Sequence, residues 1–122
     1  MTDEVKKLLN SNGKQRIVQE YVPGKQVTLA HIIRNPRDDI CDRIGIDNKG
    51  AIGIMTITPG EGAIIAADIA SKTAAVHIEF VDRFTGCVII SGDVSSVEVA
   101  LYNVVKFLHE VLGFFPAKVT SS

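Results

Sequence analysis

The sequence predicts an α+β domain with a ferredoxin-like β-α-β-β-α-β core, and three observations carry that prediction. From residue 50 onward, runs with strand-like and helix-like apolar spacing follow one another in that order. The first and third strands of this core, Ala51–Thr58 and Cys87–Ser91, are apolar on both faces, as central strands are. The second, Val76–Asp82, sets Val76, Ile78 and Phe80 on one face against His77 and Glu79 on the other, the pattern of a half-covered edge. At 122 residues the chain has the length of one domain, and it can bury a core without disulfides.

Along the chain, residues 1–14 are polar and mixed in charge, and read as a flexible N-terminal extension ahead of a single domain spanning 15–122. Two apolar runs follow, Ile17–Val22 and Gln26–Ile33, separated by Pro23-Gly24. Pro then Gly favours a type II turn, which splays the flanking strands rather than pairing them. Ile17–Val22 is therefore expected to leave the sheet that Gln26–Ile33 joins. Asn35-Pro36, with Asp38 after it, predicts a short capped helix with Ile40, Cys41 and Ile44 inward and Gly45 as its stop.

Thr58-Pro59-Gly60-Glu61 has the spacing of a capping box with Pro at the first helical position, opening a helix to about Ala75. A phosphate at this helix start is the weaker reading, because Pro59 removes an N–H and Glu61 adds a negative charge. After the loop at Arg83–Gly86 and the strand Cys87–Ser91, Asp93 or Ser95 caps a long helix. Its apolar positions Val94, Val97, Leu101, Val104, Leu108 and Leu112 recur at helical spacing. Gly113 ends it, and Phe114–Val119 is expected as the last, edge strand of a core spanning 50–119.

Composition narrows the function. Thirteen basic against 14 acidic residues give no electrostatic case for nucleic acid. The most apolar stretch, Ala51–Ala70, is interrupted by Pro59, Gly60, Glu61 and Asp68, which argues against a membrane span. The N-terminus shows no continuous apolar run of the kind that marks a secretory signal. Cys41 and Cys87 are far apart and read as buried thiols, with a disulfide or metal site as the minor alternative. His31, His77 and His109 stand on different elements, none at metal-ligand spacing. No catalytic, cofactor or metal site is expected.

Instead, a 46% hydrophobic content with 6% aromatics leaves aliphatic surface over. The two central strands are apolar on faces that the core helices cannot both cover, and Ile17–Val22 lacks a pairing partner. Self-assembly resolves both, since a symmetric oligomer can close such strands into a small barrel around its axis. The Asp82-Arg83-Phe84-Thr85-Gly86 turn reads equally as a solvated loop or a contact loop. Asp68 and Lys72, at i, i+4 beside an Ala-rich flank, read as a weak surface pair.

Three stretches carry a resemblance: Val22-Pro23-Gly24-Lys25-Gln26-Val27-Thr28-Leu29-Ala30-His31, Gly50–Pro59 and Asp82–Gly86. Over about residues 15–119 the chain resembles the circularly permuted, single-domain shell proteins of bacterial microcompartments, of the EutS/PduU type. The resemblance implies a flat homohexamer that tiles with other shell proteins around ethanolamine-, propanediol- or choline-type catabolic enzymes. It places residues 26–45 as the permuted strand and helix. Arg16, Ile17, Val18, Gln19, Glu20, Tyr21 and Val22 become a strand of a barrel that closes the central pore. It sets Thr85 and Gly86 in the loop at the sixfold axis, and Lys72 and Arg34 at the tile edge. It further implies a cytoplasmic, non-enzymatic role, with cargo or accessory proteins meeting the barrel and no cofactor, nucleic acid or membrane. A ferredoxin-like regulatory domain binding a small molecule between subunits is the alternative, resting on fold analogy.

Overall fold

The computed structural model describes residues 24–122. Its elements are β1 (Gln26–Arg34), α1 (Asp38–Ile44), β2 (Ala51–Thr58), α2 (Gly62–Thr73), β3 (His77–Asp82), β4 (Cys87–Gly92), α3 (Val94–Glu110) and β5 (Thr120–Ser121). They form one five-stranded sheet in the order β3-β4-β2-β1-β5. The doubly apolar strands β2 and β4 are neighbours in its interior, and β3 is an edge, as the sequence predicts.

The core lies between one face of this sheet and the helix pair α2 and α3. Ala51, Met55 and Ile57 of β2, Val88 and Ile90 of β4, and Val97, Leu101, Val104 and Leu108 of α3 are all buried there. The last four repeat at the helical spacing read from the sequence. The two helices meet through small residues, since α2 buries Gly62, Ala63, Ala66 and Ala70. Gly53 serves the same closeness in β2, where an added Cβ would lie 2.8 Å from Val97 and 2.9 Å from Ile90.

Helix α3 is capped by Asp93, whose carboxylate accepts the Ser96 N–H at 2.9 Å. Hydrogen bonding from the Ser96 side chain, and then from its N–H, favours the ionised form and holds the Asp93 pKa below the usual carboxylate value. Gly113, at φ 74°, follows the helix end, and the N–H groups of Gly113 and Phe114 return to the carbonyls of His109 and Leu108.

Other local expectations are corrected. The final strand is not Phe114–Val119: Phe115 makes only an isolated bridge to Gln26, and the short strand is Thr120–Ser121, parallel to β1. Pro116 breaks the ladder because it has no N–H to donate. Helix α2 begins at Gly62 with no side-chain cap, and Thr58-Pro59 is a cis peptide, so the predicted capping box does not form. Helix α1 begins after Arg37 rather than at an Asn35 cap; Asn35 takes φ 49° instead, and its N–H donates to Gly50 O. Gly45 does end α1, at φ 76°. Of the three residues expected inward on α1, only Cys41 is buried, while Ile40 and Ile44 are exposed. Gly24 lacks the positive φ that a type II turn at Pro23-Gly24 requires. A register shift between Ile78 and Phe80 places Phe80 opposite Ile89 rather than on the core face.

Candidate assembly surfaces

The Asp82–Gly86 turn is rigidly built. The Asp82 carboxylate accepts the Phe84 N–H at 2.9 Å and the Thr85 hydroxyl at 2.8 Å, a local ring that fixes the turn. The Phe84 N–H bond, ahead of the Thr85 bond, holds the Asp82 pKa below the usual carboxylate value. Phe84 itself is 82% exposed, with the Arg83 guanidinium 5.0 Å from its ring centroid.

Two glycines press this turn onto the chain after β2. Gly86, at φ 78°, accepts the Ile57 N–H on its carbonyl at 2.9 Å; a Cβ there would lie 1.9 Å from Ile57 O. A Cβ on Gly60 would lie 2.0 Å from Arg83 O. The glycine cluster before α2 thus serves close backbone approach.

Lys72 and Arg34 stand at the other end of the sheet. Arg34 pairs with Ala51, which pairs with Gly92, whereas the turn joins Asp82 to Cys87. Eight residues of β2 separate the two ends by about 25 Å. Lys72, in the last turn of α2, pairs with Asp68 at 2.8 Å, and both are more than half exposed. Arg34 reaches Glu98 of α3 at 3.4 Å. The structure therefore groups Lys72 and Arg34 at one end and Thr85 and Gly86 at the other. Arg16–Val22, the expected barrel strand, lies outside the described residues.

Two of the three histidines hold structure. Both ring nitrogens of His31 meet hydroxyls of the C-terminal segment, Nδ1 with Thr120 at 2.6 Å and Nε2 with Ser122 at 2.8 Å. His109 Nδ1 faces the carbonyl of Phe114 at 3.0 Å. Burial raises the Cys87 thiol pKa, with the Asp82 charge adding to it, and burial likewise raises Cys41. Among the described residues no group of three or more His, Cys, Asp or Glu could hold a metal ion. None of their helices is long and apolar enough to cross a membrane.

One surface escaped the sequence reading. Between α3 and the segment 116–119 runs an open groove of about 790 Å³, with Tyr102, Val105 and Val119 among its walls and Lys106 and Lys118 at its lip. Tyr102 stands off the apolar stripe of α3, so periodicity alone marks it as a solvated position.

The described residues thus present a turn at one end of the sheet and two cations at the other. Residues 51–119 match the BMC domain. The chain belongs to the BMC-domain family of bacterial microcompartment shell proteins. It is 53% identical over 109 residues to the microcompartment shell protein EutS of Salmonella typhimurium strain LT2, covering 89% of this chain and 98% of that one. It is 56% identical over 106 residues to the shell protein PduU of the same strain, covering 86% of this chain and 91% of that one. Among solved structures it is similar to a CutR flat hexamer, with a TM-score of 0.79 and 50% identity over 83% of this chain and 94% of that one. With such relatives over most of its length, this BMC-domain chain is a shell protein of the EutS, PduU and CutR kind.

Proposed function

We propose that the chain forms closed homohexamers that tile with one another, and with other shell proteins, into a bacterial microcompartment shell in the cytoplasm. Its role is structural rather than catalytic. The observation that carries this reading is the polarity of the sheet: the rigid turn bearing Thr85 and Gly86 sits at one end, and Lys72 and Arg34 sit at the other. In a flat ring the turn faces the axis and the two cations face the rim.

A circularly permuted order is supported by β1, which holds the place beside β2 that the last strand of a β-α-β-β-α-β core would take. Arg16–Val22 then forms the barrel over the axis, where cargo or accessory proteins meet it. The enclosed enzymes handle an ethanolamine-, propanediol- or choline-type substrate, in keeping with the relatives.

The Lys72–Asp68 pair is surface-exposed and contributes only a few tenths of a kcal/mol to the helix, roughly 0.2–0.5. Lys72→Ala should therefore leave the ring intact while abolishing the two-dimensional sheets that electron microscopy should show for the unmodified protein. Loss of the ring itself would place Lys72 within the subunit contact. Absence of sheets, together with strong thermal stabilisation by a small metabolite, would favour the regulatory alternative.

A further inference from the structure

Beyond Val119 the chain has no apolar anchor. Ala117 and Val119 pack against the core, whereas Thr120, Ser121 and Ser122 are exposed. These three residues are nevertheless held beside β1, with His31 opposite Thr120 and Ile32 opposite Ser121. A strand of two residues supplies few ladder bonds, and a chain end without burial ordinarily frays.

The side chain of His31 supplies the missing hold. Thr120 and Ser122, two residues apart, bring their hydroxyls to one face of the extended segment. Ring Nδ1 meets the Thr120 hydroxyl at 2.6 Å and Nε2 meets the Ser122 hydroxyl at 2.8 Å. A neutral imidazole has one donor and one acceptor nitrogen, and a hydroxyl can take either part, so both bonds form in either tautomer. Ser122 is thereby placed to bond the backbone of β1. Its N–H donates to Ile32 O at 2.9 Å, and its carbonyl accepts the Arg34 N–H at 2.8 Å. On its inner side Arg34 pairs with Ala51 of β2, so Ser122 ties its outer side.

We infer that His31 is a positioning residue for Arg34: it clasps the C-terminal segment, and that segment holds the Arg34 backbone at the end of the sheet proposed above as the rim. The clasp stands on the bonds themselves. The step from clasp to rim rests on the proposed tiling.

Hydrogen exchange of the full chain, resolved to single amides by mass spectrometry, tests the clasp in His31→Phe, which keeps the bulk of the ring and loses both bonds. Each such bond shifts a local opening by about a factor of five, so exchange at the Arg34 and Ser122 amides should rise roughly 30-fold. The Val27 amide, which donates to Phe115 O near the other end of the sheet, should keep its rate, as should the amides of α3. In electron micrographs the same variant should keep its rings and form smaller sheets than the unmodified protein. Should His31→Phe fail to fold, the double variant Thr120→Val/Ser122→Ala removes the same two bonds from the other side. Unchanged exchange at Arg34, or a rise shared by Val27 and α3, overturns the clasp. Faster exchange at Arg34 with sheets of unaltered extent overturns its link to the rim. An unmodified protein that forms no sheets removes the tiling reading instead, so the failures are distinguishable.

Discussion

The two faces of the central strands are built from similar residues and meet different fates. On the helix side, Met55 of β2 and Val88 and Ile90 of β4 are fully buried under α2 and α3. On the opposite side burial is uneven: Ile52 and Ser91 are buried, whereas Ile54 and Ile89 in the same strands are only half-buried. The difference lies in what covers the face. Two long helices pack against one side, whereas the short helix α1 leaves its own Ile40 and Ile44 in solvent. The sheet is thus fully covered on one side and covered only in part on the other, where Ile54 and Ile89 stay half in water.

This contrast can be broken at its strongest point first. Met55→Ala should cost about 3 kcal/mol, the usual penalty for a large side chain deleted from a packed core. Ile89→Ala, with part of its surface already in water, should cost about 1 kcal/mol in the same urea titration. Equal losses would mean that both faces are equally packed in the folded protein and would remove the asymmetry.

The smaller effect lies at the start of the helix layer. Asp93 keeps its charge to lower pH than an ordinary carboxylate because its ionised form is hydrogen-bonded by the Ser96 side chain and then by the Ser96 N–H. A carboxyl with a lowered folded pKa stabilises the fold above its unfolded value and loses that contribution as pH falls through the folded one. Asp93→Ala should therefore lower the melting temperature by a few degrees at neutral pH. The gap from the unmodified protein should close in acid, and a gap that persists unchanged would remove the charge from the account of this cap.

The contrast also explains what the sequence could reveal. Periodicity exposes whichever pattern dominates a segment. The doubly apolar β2 and β4 and the single stripe of α3 were legible because burial there is set by strand and helix geometry. The start of α2 was not, because Thr58-Pro59-Gly60-Glu61 has the composition of a cap while the close approach of the Arg83 carbonyl governs Gly60. Alternation sets Phe80 on the face of Ile78, and the one-residue shift that moves it leaves no trace in composition. Lys72, Thr85 and Gly86 were legible as candidates through the resemblance. Tyr102 and the groove were not, because one wall of that groove comes from Pro116–Val119, a segment that reads as a strand and folds as a strap.

In the proposed ring, the half-covered face and the flanks of each copy meet the next copy. The native mass of the 122-residue protein, whose subunit is 13.2 kDa, tests this reading. A single species of six subunits, stable on dilution through the micromolar range, is the expected result. A monomer across that range would contradict the claim, because the half-covered face and both flanks would then be ordinary solvated surface.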